Sequence, residues 1–373
     1  MILTGNDKSL CSGCGACVQY CPRSAIMMIE DKKGFLYPQV NESACINCLL
    51  CESVCPLFNV FDRVDPISCF AAFNPDEEIR LLSSSGGVFS LISQEIIKHG
   101  GVVFGALFDE QWQVSHGFVD TIDGLTRLRG SKYVQSAIGN CFITVEQFLK
   151  QGKEVLFSGT PCQIYGLRCF LKKSYDNLLM VEVACHGVPS PKVWREYIKK
   201  ELNKGTVTEV VFRSKSTGWR DYSVRIGKKS CRHDYDDYIG CFLANYSLRP
   251  SCFNCQFQAG KSGTDITIAD FWGIHKIAPD LDDDKGISLI MAYSNKGQSV
   301  IDSCGMKLRR FEYSQVVKAN PSIDHSEAKP KDYDAFWNMF CEENPCKAIK
   351  KYGRNYRPSF MNRLMNITRK VMK

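Results

Sequence analysis

From Ile67 onward the chain alternates short apolar runs with amphipathic stretches. Val88 to His99 places Phe89, Ile92, Ile96 and Ile97 at helical spacing, and Gly100-Gly101 stops the pattern. Val102–Phe108 and Val114–Val119 read as strands. A helix over Cys141–Lys150 leads into the strand Val155-Leu156-Phe157. After the turn Ser158-Gly159-Thr160-Pro161, another helix runs to about Lys173. Leu178–Val183 is again a strand, and Pro191 opens a helix at its favoured first position. Further strands are expected at Val207–Arg213, Tyr222–Ile226, Asp265–Ala269 and Ile287–Tyr293. Strands alternating with helices predict a mixed sheet covered by helices, an α/β body.

Before Ile67 the pattern is different. Cys11-x2-Cys14-x2-Cys17-x3-Cys21-Pro22 recurs 34 residues later as Cys45-x2-Cys48-x2-Cys51-x3-Cys55-Pro56. The chain therefore divides into a cysteine-rich head (1–60), a linker at Phe61–Pro66, a body (67–330) and a helical, basic tail (331–373). The fold class expected is α+β to α/β, a two-cluster ferredoxin domain followed by a larger mixed α/β domain.

Composition narrows the chemistry. Twenty cysteines in 373 residues, with no signal peptide and no apolar run near bilayer length, suggest a reducing cytoplasm and thiols used for metal or redox work. The formal charge of +7 is local. From Pro345 there are nine basic and no acidic residues, which leaves 38 basic against 40 acidic elsewhere. A body this close to neutral, without a reading motif, argues against nucleic acid. In the tail, Phe360, Leu364, Ile367 and Val371 share a helical face beside Arg363, Arg369 and Lys370. Such a face suits an anionic membrane surface, an acidic partner, or packing on the body.

The repeated motif is the strongest chemical signal. Three cysteines at i, i+3 and i+6 set thiolates around one loop, and a fourth before proline serves the other cluster of the pair. Cys11, Cys14, Cys17 and Cys55 are thus expected to hold one 4Fe–4S cluster, and Cys45, Cys48, Cys51 and Cys21 a second. Zinc is the alternative, but its knuckles are usually paired Cys-x2-Cys units with longer spacers. Gly13 and Gly15 let backbone N–H groups approach the cluster sulfides.

Cluster electrons move singly, and the cofactor that converts them to pairs is a flavin. The body has no Gly-x-Gly-x-x-Gly and no P-loop. Ser83-Ser84-Ser85-Gly86-Gly87 before the Val88 helix is compatible with a phosphate or with a simple cap. Cys252-x2-Cys255 is compatible with a cluster, half a zinc site, or unligated thiols. Cys69, Cys141, Cys169, Cys231, Cys241 and Cys304 lack ligand spacing and are expected as small core residues. His186 is expected to be a hydrogen-bonded structural histidine.

Several segments resemble the family of coenzyme F-420 hydrogenase/dehydrogenase beta subunits. They are Ser84–Ser90, Arg129–Ser136, Phe157–Gln163, Cys185–Pro191, and Cys252-Phe253-Asn254-Cys255 followed by Asp265–Gly273. The likeness is to the bacterial branch found among surface-polysaccharide genes. The resemblance implies FAD, iron–sulfur clusters, a low-potential donor such as ferredoxin, and a small-molecule substrate, F-420 itself in some members. It implies flavin contacts at Ser85, Gly86, Gly87, Ser131, Lys132, Tyr133 and Thr160. It also raises the expectation of a third 4Fe–4S cluster on Cys162, Cys185, Cys252 and Cys255. If the strands before Cys162 and Cys185 are neighbours, both thiols leave the sheet at one carboxyl edge. No catalytic acid or base is singled out. The functions left open are an iron–sulfur flavoprotein oxidoreductase, an F-420 reductase or dehydrogenase, and a non-catalytic electron-transfer subunit.

Overall fold

A computed structural model describes residues 8–203 and 205–357 of the chain. In the head, α1 (Ala16–Gln19) and α2 (Leu50–Ser53) flank an antiparallel hairpin of β1 (Ile26–Glu30) and β2 (Leu36–Val40). The apolar pattern does not announce this hairpin, because β2 contains Pro38, opposite Met28. Proline is tolerated there since each strand has one partner only.

The body begins with β3 (Ser68–Phe73), α3 (Glu77–Leu82) and α4 (Val88–Lys98). It continues through β4 (Val102–Phe108), β5 (Val114–Val119), α5 (Leu125–Leu128) and α6 (Cys141–Lys150). Next come β6 (Val155–Gly159), α7 (Pro161–Leu171), β7 (Leu178–Val183) and α8 (Pro191–Leu202). A small antiparallel sheet of β8 (Val210–Ser214), β9 (Ser223–Ile226) and β10 (Lys229–Arg232) precedes α9 (Asp237–Leu243). The chain then forms β11 (Ile266–Asp270), α10 (Ile274–Ile277), β12 (Ser288–Ala292), α11 (Asn295–Ser303), β13 (Lys307–Phe311) and α12 (Tyr313–Ala319). It closes with α13 (Tyr333–Asn338) and α14 (Pro345–Gly353).

The large sheet has the order β13-β3-β12-β11-β7-β6-β4-β5. Its centre, β4, β6, β7 and β11, is parallel, and the outer strands are antiparallel. This is the mixed α/β architecture expected from the alternation of elements. Strand periodicity sends alternate side chains to opposite faces. Val102, Phe104, Val155 and Phe157 pack against Phe142 and Val145 of α6 and Ile164 and Leu167 of α7. Val103, Leu156, Leu179 and Val181 pack against Val88, Ile92 and Ile96 of α4 on the other face.

One expectation needs correcting. Cys69, Cys141, Cys169 and Cys241 are buried, but Cys231 and Cys304 are only half-buried. Cys231 lies in β10, which pairs with one neighbour only, and Cys304 is the residue that ends α11. The start of the segment read as a helical tail packs on the body, as the aromatics of 332–339 lead one to expect. Tyr333, Phe336, Trp337, Ile349 and Tyr352 join Trp194 of α8 and Tyr238 of α9 in one buried cluster. Helices α9 and α14 approach so closely that a Cβ on Gly240 would lie 2.1 Å from the Gly353 carbonyl oxygen. The amphipathic face at Phe360–Val371 lies outside the described residues. Among the described residues, no helix is long and apolar enough to cross a membrane.

Candidate redox site

In the head, both cysteine loops reverse through left-handed backbone. Gly13 and Gly15 have φ of +73°, and the positions 34 residues later, Asn47 and Leu49, have φ of +54° and +59°. The turns curl the chain so that N–H groups point at sulfur: Gly13 donates to Cys11 Sγ at 3.4 Å and Asn47 to Cys45 Sγ at 3.4 Å. Ala25 donates to Cys21 Sγ at 3.3 Å. Cys11, Cys14, Cys17 and Cys55 line one cavity of about 60 Å³. Cys21, Cys45, Cys48 and Cys51 line a second of about 20 Å³. The repeat is therefore crossed, with each fourth cysteine standing with the other motif's three.

Burial, followed by Cys11, Cys55 and Cys51, pushes the Cys17 thiol up to about 12, and burial pushes Cys55 to about 11. Buried thiolates that repel one another need positive charge between them, which a cluster's irons supply. Among the described residues, no three His, Cys, Asp or Glu side chains converge closely enough to hold a single metal ion. The head thiols ring cavities instead. The donor set fits a polynuclear cluster.

In the body, β6 and β7 are parallel neighbours with Gly159 beside Glu182, so the chain leaves both at the same edge. Cys162 sits in the first turn of α7, and Cys185 follows β7 by two residues. Cys252 lies within the 3-10 turn Pro250–Asn254, and Cys255 ends it. The four thiols are close enough to act on one another. Burial, then Cys252, Cys162 and Cys255, holds Cys185 well above its usual range. Burial chiefly pushes Cys252 up to about 12 and Cys255 to about 11. Val188 N–H donates to Cys252 Sγ at 3.4 Å, and the Thr160 hydroxyl lies 3.2 Å from Cys162 Sγ.

Helix α7 joins these groups to the head. A Cβ on Gly166 would meet Cys14 Cβ at 2.8 Å and Cys14 Sγ at 3.1 Å. Cys162 stands one turn earlier, about 6 Å along the axis. The Tyr165 hydroxyl donates to the Asn59 carbonyl at 2.5 Å and accepts from the Phe61 N–H at 2.8 Å.

The residues assigned to a flavin are brought together only in part. Ser131 N–H donates to Ser84 Oγ at 2.7 Å, tying the 129–133 loop to the one before α4. Within that loop, the Ser85 hydroxyl donates to the Ile287 carbonyl and Gly86 N–H to Ser288 Oγ, both at 2.9 Å. A Cβ on Gly86 would lie 2.4 Å from the Ala72 carbonyl oxygen, so close packing on β3 and β12 requires glycine. Gly87, at φ +82°, is the N-cap of α4. The Ser85 hydroxyl and the Gly86 N–H thus both have partners inside the protein.

Lys132 is also bonded within the chain. Its Nζ donates to the carbonyls of Arg127, Leu128 and Arg129 at 2.9, 2.9 and 3.0 Å, capping α5. Burial lowers its pKa to about 7, while three carbonyls match the three donors that only the charged form carries. Tyr133 stacks on Phe242 with ring centres 4.8 Å apart and tilts against Phe212 at 5.6 Å. Thr160 stands apart, capping α7 in a box with Gln163 beside Cys162. His186 is hydrogen-bonded to Asn245 at 2.7 Å and paired with Glu327 at 3.2 Å, the structural arrangement expected.

Sequence reading missed four buried polar side chains at this edge. Arg213 pairs with Asp270 at 2.8 Å and lies over the Tyr222 and Trp272 rings at 4.1 and 4.7 Å. Trp272, 38% exposed, stacks on buried Trp219 at 5.1 Å. Glu182 and His116 are buried, and burial moves their pKa values to about 7 and about 4. Arg249 donates to the Cys11 carbonyl at 2.7 Å. Only the Trp272 segment carried a signal, through the family resemblance.

Residues 10–59 match the 4Fe-4S dicluster domain, and residues 152–317 match the family described as the C terminus of the coenzyme F-420 hydrogenase/dehydrogenase beta subunit. The F subunit of the F(420)H(2) dehydrogenase of Methanosarcina mazei is 23% identical over 215 residues, 55% of this chain and 61% of that protein. An uncharacterized polyferredoxin-like protein of Methanocaldococcus jannaschii is 36% identical over 85 residues, 18% of this chain and 48% of its own length. The chain thus spans about half to three fifths of these relatives. A solved structure of the F-420-reducing nickel–iron hydrogenase complex from Methanosarcina barkeri aligns with a TM-score of 0.48 and 15% identity, covering 80% of this chain and 94% of that one. The chain thus carries a match to a 4Fe-4S dicluster domain ahead of a match to the C-terminal family of coenzyme F-420 hydrogenase/dehydrogenase beta subunits, the family whose segments its sequence resembles.

Proposed function

We propose that the chain is a flavin-dependent iron–sulfur oxidoreductase. It exchanges electrons with a low-potential donor such as ferredoxin and reduces or oxidises a small molecule at the carboxyl edge of the large sheet. On this reading Cys11, Cys14, Cys17 and Cys55 hold one 4Fe–4S cluster, Cys21, Cys45, Cys48 and Cys51 a second, and Cys162, Cys185, Cys252 and Cys255 a third. The protein works in the cytoplasm, with a head at 1–60, a body at 67–330 and a C-terminal segment from 331. The observation that carries the reading is the succession of thiol groups along α7, with Cys162 in its first turn and Cys14 against Gly166 one turn later.

Bound clusters supply one-electron transfer, and FAD couples it to two-electron chemistry. The chain's own residues set the conditions. Backbone N–H groups at Gly13, Ala25, Asn47 and Val188 stabilise charge on sulfur. Lys132 and the Ser84–Ser131 bond fix the two loops at the edge. Ser85 and Gly86 shape the first loop by packing on β3 and β12. Tyr133 and Trp272 present aromatic rings at the same edge, suited to a planar cofactor or substrate.

A second reading, an electron-transfer subunit that feeds a partner enzyme, is favoured by the head's surface. Cys48 is exposed, and Ile46, Leu49 and Leu50 around it are 58%, 52% and 37% exposed. One experiment separates them. Anaerobically purified protein is denatured for chromophore and iron analysis, then tested with reduced ferredoxin against F-420, nucleotide sugars and quinones. Released FAD and turnover by the isolated protein are expected. Absence of FAD after reconstitution overturns the flavin, and turnover that requires a second protein establishes the second reading.

A further inference from the structure

Arg249 is fully buried, yet its guanidinium faces no carboxylate among the described residues. Nε donates to the Cys11 carbonyl at 2.7 Å, Nη1 to Gln135 Oε1 at 3.0 Å, and Nη2 to the Leu36 carbonyl at 2.9 Å. The group lies over the Tyr37 ring at 4.2 Å and the Phe35 ring at 5.4 Å. Gln135 is held with its oxygen toward the arginine, because its Nε2 donates to the Ser12 carbonyl at 3.0 Å. Every one of these partners is neutral. Glycine at 13 is what makes the room: a Cβ there would stand 2.9 Å from Nη1.

A buried arginine with no counter-charge is among the costliest groups a core can hold. The negative charge available to it is on sulfur. On one side its partner is the backbone of Cys11, in the loop that also carries Cys14 and Cys17. On the other side, its own carbonyl accepts from the Cys252 N–H at 2.9 Å, where Arg249 opens the turn that leads to Cys252 and Cys255. The residue thus sits between the two thiol groups that α7 brings together.

We propose that Arg249 is the shared counter-cation of two clusters, the one on Cys11, Cys14, Cys17 and Cys55 and the one on Cys162, Cys185, Cys252 and Cys255, and that it raises the reduction potential of both. The second half rests on the three-cluster reading; the first does not. Reducing either cluster adds one electron and one negative charge, makes or breaks no bond, and moves no proton. A fixed positive charge in a low-dielectric site therefore favours the reduced form. The cluster on Cys21, Cys45, Cys48 and Cys51 has no contact with Arg249 and serves as the internal control.

The test is an anaerobic redox titration followed by electron paramagnetic resonance on iron-loaded protein. Three variants are compared with wild type. Arg249→Gln removes the charge, Arg249→Lys keeps it without the fork, and Gln135→Glu leaves the arginine but places a carboxylate beside Nη1. At a fixed potential, the reduced-to-oxidised ratio of the two neighbouring clusters should fall about tenfold or more in R249Q, a shift of about 59 mV for a one-electron couple. It should fall in the same direction in Q135E, whereas R249K stays near wild type and the control cluster does not move. Unchanged ratios in R249Q and Q135E overturn the proposal, and so does an equal shift of all clusters, which marks a general structural effect. Wild type that holds only eight irons removes the third cluster and with it the three-cluster reading. The Cys11 cluster then still tests Arg249.

Discussion

Gly166→Ala tests whether the head is docked on α7 as described. Alanine in a helix interior normally gains up to about 1 kcal/mol over glycine. Here the added methyl would stand 2.8 Å from Cys14 Cβ and 3.1 Å from its sulfur, and ordinary contact begins at 3.4 Å. The gap to Cβ must open by about 0.6 Å, whereas cluster and metal sites tolerate ligand displacements of roughly 0.2 Å. Overpacking of this size costs about 1–3 kcal/mol, enough to cancel or reverse the propensity gain. Either the head lifts off α7 or Cys14 leaves its cluster. Iron per chain should fall by up to about four, with a lower thermal midpoint and an altered spectrum of the Cys11–Cys55 cluster. A variant that unfolds at a higher temperature than wild type, with full iron and an unchanged spectrum, would refute the docking, because it would show propensity acting alone.

Cys255→Ala should remove about four of about twelve irons and leave both head clusters reducible; iron analysis showing full loading, or loss from the head as well, counts against the third cluster. Glu182 gives a pH test. Burial raises its pKa from 4.5 to about 7, so its contribution to stability is complete below 4.5 and is lost as pH rises through 7. Glu182→Gln should therefore match wild type near pH 5 and exceed it by on the order of 3 kcal/mol near pH 8, and a pH-independent difference in denaturant midpoints would sink this assignment. Ser84→Ala removes the hydrogen bond to Ser131 and should lower stability by about 1 kcal/mol while reducing the fraction of protein purified with flavin. Unchanged flavin occupancy would dissociate the two loops from the flavin.

Local pattern was enough for most of the large sheet. The expected strand Val155-Leu156-Phe157 is the start of β6, and Leu178–Val183 is β7 at the same bounds. What escaped was β3 and, at the edge beside it, β13. Ser68-Cys69-Phe70-Ala71-Ala72-Phe73 mixes small and aromatic residues with no strong β signal, and it is a strand because β12 and β13 pair with it on both sides. The hairpin in the head was hidden by Pro38. For β3 the nearer and the farther partner both lie far away in sequence. Arg249 is the extreme: its partners Cys11 and Leu36 precede it by 238 and 213 residues. No local pattern distinguishes it from a surface arginine.

The cysteine motifs were legible because a cluster ligand set is largely local, with three thiols in one loop. The third set is not, and two of its members, Cys162 and Cys185, carry no spacing at all. What joins them is that β6 and β7 are parallel neighbours, a property of the sheet. Even so, α7 held a readable trace of its role. Cys162, Tyr165, Gly166 and Cys169 recur at i, i+3, i+4 and i+7, a single helical face. An amphipathic body helix would fill that face with large aliphatic side chains, as Ile164, Leu167, Phe170 and Leu171 fill the other. Instead it carries thiols, a hydroxyl and a glycine, which Phe61, Cys255 and Phe257 pack against and Cys14 closes over. A helix face built of small and sulfur-bearing residues is a place where another segment's backbone and ligands must come close. That is the physical reason the head and the body share one helix.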